Sequence, residues 1–432
     1  MSPGLLKVAE RAKLDPTVRF NSLAHLLDEE ALRRAFQRVR KDAAAGVDGI
    51  TKEQYEQGLD GKLEDLHERL RTGRYRHQPI RRVHIPKASG GTRPIGISTI
   101  EDKIVQGALR EVLETIYEQD FLPCSFGFRP KRGAHDALRV LNRMAAYEGI
   151  NWILEADIQS FFDSLDRSKL KEMLQTRVAD GSLLRLVGKC LHVGVLDGAE
   201  FDTPEEGTAQ GSIISPLLGN VYLHHVLDLW FERDIHPRLL GRARLIRYAD
   251  DFVMGFERKE DAERVLELLA RRMAEFGLTL HPDKTRLLPF GKPPKRQAGG
   301  KGPATFDFLG FTVYWRRTRG GSWMPGMKTR KARLQRAMTA LNDWCRRHRH
   351  EPCTEQHAAL VRKLNGHFNY FGVNGNSDSL ARVAHRAKRI WLTWLRRRGQ
   401  RVRLTWKRFW DYLKVFPLPK PTIRVQLWDA SP

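Results

Sequence analysis

The 432-residue sequence predicts an α+β fold, in which a few widely spaced strands pack against many helices. Two apolar, β-prone runs, "NWILEADI" (151–158) and "ARLIRYADDFVMGF" (243–256), are separated by long stretches with helical periodicity. Strands and helices therefore do not alternate regularly along the chain, as they would in a doubly wound parallel sheet.

The N-terminal part is predicted to be mostly helical up to about residue 75, because apolar residues recur there at helical spacing. Gly46 and the segment "GVDGIT" interrupt this helical pattern. Residues 80–97, "IRRVHIPKASGGTRPIGI", follow as a predicted strand pair with Ser-Gly-Gly at the turn. A helix is then predicted over about 101–118.

Downstream of the 151–158 strand, helical patterns predominate around the predicted hairpin 243–256. We predict helices over 167–192 and 259–276, and one long helix from "SPLLGNVYLHHVLDLWFERDI" (215–235). The sequence further predicts short strands near 278–281, 285–288 and 306–314, a mobile Pro/Gly/Lys-rich loop at 289–304, and helices beyond about 325.

The positive charge of the chain is concentrated towards its C-terminal end. The net charge is +24, and residues 311–432 hold 27 Lys or Arg against 6 Asp or Glu. Eight of the ten tryptophans lie in the same segment. Cationic side chains interleaved with aromatic ones are typical of a surface that binds nucleic acid, through phosphates and stacked bases. A basic membrane-binding surface is the alternative.

Hydropathy and cysteine spacing argue against membrane, secreted and zinc-ribbon proteins. No apolar run reaches the roughly 18 residues that a membrane span needs, and the N-terminal residues lack the apolar core of a secretion signal. The four cysteines form no CxxC pair, so neither a zinc ribbon nor a disulfide framework is indicated. We therefore expect a cytoplasmic protein without a membrane partner.

Three aspartates are notable because apolar, strand-like residues surround them. Asp157 ends the run "NWILEAD", and Asp250 and Asp251 are adjacent at the tip of the predicted hairpin. Each alone is commonly a turn or cap residue, and two neighbouring carboxylates repel each other. Together they would supply the oxygen ligands that Mg²⁺ prefers, and bound cations would screen the repulsion. Two ions about 4 Å apart can stabilise both oxygens of an in-line phosphoryl displacement.

Two glycine-bearing segments carry groups that could face a chain of phosphates. Lys87 and Arg93 flank the turn in "IPKASGGTRPIGI", where a Lys point charge and an Arg fork can hold a triphosphate. In "GTAQGSIISPLLGN", Gly207 and Gly211 permit close backbone approach and Gln210 offers an amide. A solvated basic turn and a plain helix start, respectively, are the alternatives.

In order and spacing, these motifs resemble the reverse transcriptases encoded by group II introns, the maturase type. The Tyr-x-Asp-Asp box alone is moderately specific, whereas eight blocks in order, over roughly residues 20–313, are highly specific. The blocks are "AAAGVDGIT" (43–51), "RRVHIPKASGGTRPIGISTIEDKIVQGAL" (81–109), "SFGFRPKRGAHDAL" (125–138), "ILEADIQSFFDSLD" (153–166), "GTAQGSIISPLLGNVYL" (207–223), "RYADDFVMGF" (247–256), "GLTLHPDKTRL" (277–287) and "FDFLGFTV" (306–313). "LVRKLNGHFNYFGV" (360–373), "IWLTWLRRRGQ" (390–400) and "PLPKPTI" (417–423) resemble the family's thumb.

The resemblance implies a right-hand polymerase fold with fingers and palm, a helical thumb and a short basic C-terminal domain. It implies RNA-templated DNA synthesis with two Mg²⁺ ions, for which Mn²⁺ could substitute. Asp157, Asp250 and Asp251 match the catalytic, metal-binding carboxylates, and the Ile158 backbone carbonyl would be a further metal ligand.

The resemblance also assigns contacts to nucleotide, primer and nucleic acid. Phe162 matches the aromatic gate against the ribose 2′-OH, the group that distinguishes RNA from DNA precursors. The remaining residues of the dNTP pocket are Lys87, Arg93, Gln210 and Gly211, and those of the primer grip are Phe308, Leu309 and Gly310. The nucleic-acid contacts expected from the basic tail are Arg330, Lys331, Arg333, Arg396, Arg397, Arg398 and Arg401, whereas Trp391, Trp394, Trp406 and Trp410 have the helical spacing of core residues.

Two features depart from the common family form. Ala209, Ser212 and Gly219 stand where that form, closer to GTPQGGIISPLLAN, has Pro, Gly and Ala, and all three are small. The paired cysteines and histidines of the C-terminal endonuclease domain of many members are absent from the sequence. We therefore expect the short form that lacks the endonuclease.

The expected organisation has three regions: residues 1–313 as fingers and palm, with a helical extension over about 1–75, residues 314–385 as thumb or maturase domain, and residues 386–432 as a basic DNA- or RNA-binding segment. Expected partners are an RNA template, which could be structured intron RNA, a DNA primer or target, and dNTPs. Besides a reverse transcriptase with a maturase role in splicing and retromobility, two alternatives stay open: a domesticated relative, CRISPR-linked or in phage defence, and a non-catalytic RNA-binding splicing factor.

Overall fold

The strands of the computed structural model form three separate sheets among many helices, which confirms the predicted α+β class. The predicted contacts Lys87, Gln210 and Arg401, and most of the loop predicted at 289–304, lie outside the described residues. The structure describes residues 2–86, 91–197, 200–202, 207, 211–294, 304–318, 320–399 and 404–428.

The predicted long helix 215–235 is an α-helix continued by two π-helical stretches, His224–Asp228 and Trp230–Ile235. The strands of the described residues are β1 (Ile80–Pro86), β2 (Thr92–Ile97), β3 (Trp152–Asp157), β4 (Val195–Asp197), β5 (Glu200–Asp202), β6 (Ala243–Tyr248), β7 (Asp251–Phe256), β8 (Arg286–Pro289), β9 (Phe306–Phe308), β10 (Phe311–Arg317) and β11 (Trp323–Thr329). The α-helices are α1 (Pro3–Leu14), α2 (Glu29–Arg38), α3 (Lys52–Glu56), α4 (Leu59–Arg71), α5 (Ile100–Asp120), α6 (Ala134–Tyr147), α7 (Arg167–Gln175), α8 (Gly181–Leu191), α9 (Ser215–Leu223), α10 (Lys259–Glu275), α11 (Lys331–Arg347), α12 (Cys353–Phe371), α13 (Ser377–Arg396) and α14 (Trp406–Val415).

The sheet that bears the aspartates is antiparallel, with strand order β6-β7-β3-β8. Alternate residues of its strands enter two different hydrophobic cores, because successive side chains of a strand point to opposite faces. Leu154 and Phe252 enter the core shared with α5 and α9, whereas Ile153 and Val253 enter the core shared with α6 and β10. Both faces are thus covered, which explains why these runs are almost continuously apolar.

The remaining strands form two further sheets. The pair β1–β2 joins β4 and β5 in the order β2-β1-β4-β5, so the predicted strand pair over 80–97 is confirmed. The third sheet has the order β11-β10-β9 and is antiparallel throughout.

Three predicted elements need correction, whereas the helical prediction over 167–192 is confirmed. The strand predicted over 306–314 is a hairpin, because Leu309 and Gly310 form a two-residue turn between β9 and β10. The helical region starts at Lys331 rather than near 325, since β11 first completes the sheet by pairing with β10. Near 278–281 there is only an isolated bridge between Leu280 and Ile158. Residues 167–192 form two helices, α7 and α8.

Helices α11 to α14 share one hydrophobic core, in which Trp391 is completely buried. The expected boundary at residue 385 falls inside α13, and the one at 313 falls inside β10. Of the tryptophans predicted as core residues, Trp391 is buried, whereas Trp406 and Trp410 are 40% and 53% exposed. None of the helices in the described ranges is long and apolar enough to cross a bilayer.

The segment 422–428 lies across the junction between α12 and α13. Val425 bridges Val373 in parallel, and the Gly372 carbonyl accepts hydrogen bonds from the amides of Arg424 (2.7 Å) and Val425 (3.0 Å). Arg139 of α6 donates to the Gln426 carbonyl at 3.1 Å. This segment therefore ties the C-terminal helices back to the helix that covers the central sheet.

Candidate active site

The sheet register brings the three predicted aspartates together. Asp157 at the end of β3 lies directly opposite Asp251 at the start of β7. Tyr248 pairs with Asp251 across the β6–β7 hairpin, so Ala249 and Asp250 form its two-residue turn. Ala249 has φ 58°, as the first position of such a tight hairpin turn requires.

Close backbone contact from the loop between α5 and α6 supports this turn. The backbone of Gly127 lies against it, and a Cβ at Gly127 would be only 2.3 Å from the Ala249 nitrogen. Only glycine fits such an approach. Asn220 of α9 donates to the Gly127 carbonyl at 2.7 Å and holds this contact from a third element.

A completely buried ion pair lies directly behind the turn. The Arg247 guanidinium binds both carboxylate oxygens of Asp228, at 2.7 and 2.6 Å, and both side chains have no exposed surface. The same guanidinium donates to the Ala249 carbonyl (3.0 Å), Asn220 Oδ1 (2.9 Å) and Ser125 Oγ (2.8 Å). All five hydrogen bonds of the arginine fork are therefore used to fix the turn relative to the helix behind it.

The carboxylates of the site repel one another. Burial, together with the charges of Asp250 and Asp157, raises the pKa of Asp251 to about 7. Burial also raises the pKa of Asp250, and the charge of Asp157 adds to that effect. Asp157 itself is ion-paired, since Lys284 Nζ lies 2.5 Å from its Oδ2. The site thus favours a cation next to its carboxylates.

Divalent ions fit this donor set. In the described part of the chain, no group of three or more His, Cys, Asp or Glu side chains is arranged to hold an ion by itself. Mg²⁺ usually keeps several waters and binds through one or two carboxylates plus substrate phosphates, so an incomplete protein cage suits it. The bridge between Ile158 and Leu280 uses the Asp157 carbonyl and the Gln159 amide, and it leaves the predicted ligand, the Ile158 carbonyl, out of its hydrogen bonds.

The turn predicted as primer grip touches Asp251 directly. Leu309 and Gly310 both have positive φ, 50° and 82°, which is the conformation of a type I′ turn. A leucine adopts it only at a cost of about 1 kcal/mol or more. Two contacts hold it: the Leu309 amide donates to the Asp251 carboxylate, and the Leu309 carbonyl accepts the Tyr370 hydroxyl at 2.9 Å.

These features line one cleft of about 1160 Å³. The described residues that line it do not include Lys331 or the run Arg396–Arg398. Arg396 and Arg398 bind backbone carbonyls, and Arg397 lies over the Trp394 ring. Gly211, predicted as part of the dNTP pocket, is also not among the described residues that line the cleft; it lies against β2. The predicted site residues that line the cleft are Arg93, Asp157, Phe162, Asp250, Asp251, Phe308, Leu309, Gly310, Arg330 and Arg333.

The predicted gate, Phe162, lies where two glycines leave room for it. A Cβ at Gly219 of α9 would lie 3.1 Å from the Phe162 ring, so the alanine of the common family form would crowd it. Gly207, with φ 80°, packs on the backbone of Phe162 and Asp163, and a Cβ there would lie 2.8 Å from the Phe162 carbonyl oxygen. The ring also contacts Phe161 edge-on, with centroids 5.1 Å apart.

The cleft is also lined by residues that were not assigned a role from the sequence, among them Phe128, Lys284 and Tyr370. Phe128 is 47% exposed and has φ 59°, an uncommon conformation for a bulky residue. Lys284 lies in the quoted block "GLTLHPDKTRL", which was the available signal for it. Nothing in the local sequence indicates that Tyr370 reaches the turn at Leu309 from α12.

Comparison with known proteins places the chain in a family. Residues 85–313 match the family described as reverse transcriptase (RNA-dependent DNA polymerase), over more than half of the chain. The chain therefore belongs to the reverse transcriptases, a family with the right-hand polymerase fold whose members generally use divalent metal ions.

The chain is homologous to proteins encoded in group II introns. It is 31% identical over 354 residues to Protein YkfC of Escherichia coli, which covers 73% of this chain and 88% of that protein. It is 32% identical over 259 residues to the group II intron-encoded protein LtrA of Lactococcus lactis, covering 57% of this chain and 43% of LtrA. A putative COX1/OXI3 intron 1 protein of Saccharomyces cerevisiae is 28% identical over 331 residues, covering 65% of this chain and 39% of that protein. The chain thus matches less than half of the length of LtrA and of the yeast protein.

Proposed function

We propose that this chain is an RNA-directed DNA polymerase that extends a primer in the cleft, with Asp157, Asp250 and Asp251 as its catalytic carboxylates. The observation that carries the proposal is the strand register, in which Asp157 opposes Asp251 directly beside Asp250. Two divalent ions, when bound, would neutralise charge on the transferred phosphoryl group and on the attacking and leaving oxygens. Asp157, Asp250, Asp251 and the Ile158 carbonyl would hold them.

The other cleft residues would bind and orient the substrates. Arg93 lies close enough to Asp250 for its charge to offset part of the rise in pKa that burial causes there, so its guanidinium can hold the triphosphate beside the carboxylates, together with Lys87. Phe162 would exclude the ribose 2′-OH. The Leu309–Gly310 turn would hold the primer end close to Asp251, because the Leu309 amide of this turn is hydrogen-bonded to the Asp251 carboxylate.

In the corresponding right hand, β1 and β2 with the N-terminal helices would be the fingers and the aspartate-bearing sheet the palm. Helices α11 to α13 would form the thumb. The cleft face of α11 carries Arg333 and Arg336, and Arg330 immediately precedes the helix; these arginines would bind backbone phosphates of the template–primer duplex.

The decisive experiment is primer extension on an RNA template with Mg²⁺ and dNTPs. The double variant Asp250→Ala/Asp251→Ala should lose extension by at least about a thousandfold, while its affinity for RNA stays unchanged. Glu64→Ala/Asp65→Ala, which removes an adjacent pair of carboxylates from exposed positions of α4, is the matched control and should extend normally. Undiminished synthesis by the Asp250/Asp251 variant would refute the assignment.

A second proposed role is binding of structured intron RNA, as a maturase in splicing and retromobility. It is supported by the relationship to proteins named as intron-encoded and by the positive charge of residues 311–432. A filter-binding comparison of a group II intron RNA with an unrelated RNA of equal length tests it, and equal affinities would refute it. A folded protein that binds intron RNA but never extends a primer would instead identify the non-catalytic splicing factor. Flanking intron RNA domains, or a neighbouring defence gene, distinguish an intron protein from a domesticated relative.

A further inference from the structure

Gln106 of α5 lies at the centre of a buried polar network behind the start of α9. Its side chain is fully buried, and its amide oxygen accepts hydrogen bonds from Ser212 Oγ (3.1 Å) and the Ile213 amide (3.0 Å). Its amide nitrogen donates to Ser98 Oγ (3.2 Å) and to His77 Nε2 (2.8 Å). All four hydrogen-bonding positions of the amide are used, which fixes its orientation.

The far side of the network is anchored independently. Because His77 Nε2 accepts the hydrogen bond from Gln106, its Nδ1 carries the proton and donates to the Gln78 carbonyl at 2.7 Å. The buried Asp102 carboxylate, 3.6 Å from His77, accepts the Tyr75 hydroxyl at 2.6 Å. Gln106 is therefore held on one side by fixed groups and holds Ser212 and Ile213 on the other.

The residues that Gln106 holds belong to a segment, residues 211–219, that we call the pocket segment. Gly211 has φ 111°, and a Cβ there would lie 2.4 Å from the Gly96 carbonyl oxygen of β2, so the segment rests directly on that strand. At its other end, Gly219 lies against the Phe162 ring. The pocket segment thus touches the strand that carries Arg93 and the residue proposed as the gate.

We infer that Gln106 is a positioning residue for the nucleotide pocket, acting through Ser212 and Ile213. The inference rests on the proposed polymerase function. Gln106 lies outside the residues that line the cleft and acts only by holding the pocket segment between β2 and Phe162. Without its two hydrogen bonds to the segment, the nucleotide site loses its fixed geometry while the carboxylates keep theirs. Nucleotide binding should therefore weaken more than turnover.

The test is steady-state primer extension by Gln106→Leu, with dNTP concentration as the variable. The KM for dNTP should rise about tenfold while kcat stays within about threefold of the original value. A factor of ten corresponds to about 1.4 kcal/mol, which is the net value of roughly one hydrogen bond.

A matched control is available in Gln356 of α12, which is 1% exposed and makes three side-chain hydrogen bonds. Its amide accepts the Trp391 indole at 3.0 Å and donates to the carbonyls of Arg349 and Glu351. Gln356→Leu should lower the free energy of unfolding by an amount similar to Gln106→Leu, yet leave the KM for dNTP unchanged. This comparison separates positioning of the pocket from general destabilisation.

Ser212→Ala is the milder variant, since it removes one bond of Gln106 and keeps the other three. It should raise the KM for dNTP about two- to fivefold, and it decides the question if Gln106→Leu does not fold. An unchanged KM in the folded Gln106→Leu protein, or an equal rise in Gln356→Leu, would overturn the inference. Absence of primer extension by the unaltered protein would instead overturn the proposed function, so the two failures are distinguishable.

Discussion

At the scale of single residues, Asp251 couples the chemistry of the site to stability. Burial and neighbouring charge raise its pKa from 3.8 to about 7 in the folded protein. An unfolded chain has no such penalty, so the raised pKa means that ionisation opposes folding. The contribution of Asp251 is most favourable below about pH 4 and is lost as the pH rises to about 7.

We therefore predict that Asp251→Asn stabilises the metal-free protein at pH 7.5, by on the order of 1 kcal/mol or more, because Asn cannot ionise. The advantage should disappear near pH 4.5. The measurement is thermal unfolding in EDTA at both pH values. Added Mg²⁺ should raise the melting temperature of the original protein and not that of the variant. An advantage of equal size at both pH values would contradict the prediction.

Phe162 offers a second prediction for a single side chain. Phe162→Ala should raise the use of ribonucleotides relative to deoxyribonucleotides about tenfold or more, because the ring no longer blocks the 2′-OH. The measurement is the ratio of kcat/KM for a matched rNTP and dNTP. Phe128→Ala, which removes another aromatic ring from the same cleft, should leave that ratio unchanged. If ribonucleotide use stays as low as before, the gate lies elsewhere.

The sequence predicted those residues whose chemistry is visible in their own neighbourhood. Asp157 and Asp250 are acidic residues within apolar strands, and Gly211 lies in a glycine-bearing loop. The ion pair of Lys284 with Asp157 joins positions 127 apart, and only the folded sheet brings them together. The left-handed conformation of Leu309 was also unpredictable, because leucine normally avoids it.

At the scale of elements, the β6–β7 hairpin depends on the buried pair of Arg247 and Asp228. Asp228→Asn should lower the free energy of unfolding by about 3–5 kcal/mol, because it leaves the arginine charge buried without its partner. Replacing both residues, Arg247→Met with Asp228→Leu, should recover most of that loss. Urea unfolding of the two variants is the measurement.

The exposed pair of Arg40 and Asp42 supplies the control for this prediction. Its side chains are 79% and 71% exposed, so Arg40→Met should leave the free energy of unfolding essentially unchanged. An equally small effect of Asp228→Asn would show that the buried pair does not support the hairpin.

Strands with period-two or fully apolar patterns, such as β3 and β7, were predicted well because both sheet faces are buried. The β9–β10 hairpin was missed for a specific reason. Its turn, Leu309–Gly310, contains one glycine where a type I′ turn usually shows Asn-Gly or Gly-Gly, so the local sequence indicates an unbroken strand.

At the scale of the whole molecule, the concentration of positive charge in residues 311–432 predicts that the affinity for nucleic acid depends on salt concentration. Arg333→Ala/Arg336→Ala on the cleft face of α11 should flatten the plot of log affinity against log salt concentration. The expected change in slope is about 0.7–0.9 for each phosphate that the variant no longer neutralises. Binding of a template–primer duplex between about 50 and 200 mM salt is the measurement.

The matched control is Arg264→Ala/Arg271→Ala, two exposed positions of α10 that do not line the cleft. Their slope should equal that of the unaltered protein. Equal slopes for both double variants would mean that the basic charge acts as a diffuse field rather than through direct binding of phosphates by α11.

The position of the basic region along the chain could be predicted from composition. Which of its side chains are buried and which are exposed could not. Trp391 and Trp406 have the same helical spacing in sequence, yet one is buried and the other 40% exposed. That difference follows from how α13 and α14 pack on each other, which is a tertiary property. Tertiary structure also occupies Arg398, which binds the carbonyls of His350 and Glu351 between α11 and α12.

The segment 422–428 has a consequence for the order of events during synthesis. It follows every other described element along the chain, yet it fixes the junction of α12 and α13 and reaches α6 through Arg139. Because chains emerge from the ribosome N-terminal end first, the palm sheet can form well before this tie exists. On a nascent chain the junction of α12 and α13 therefore lacks this tie, and contacts such as that of Tyr370 with Leu309 hold it alone until translation has passed residue 428.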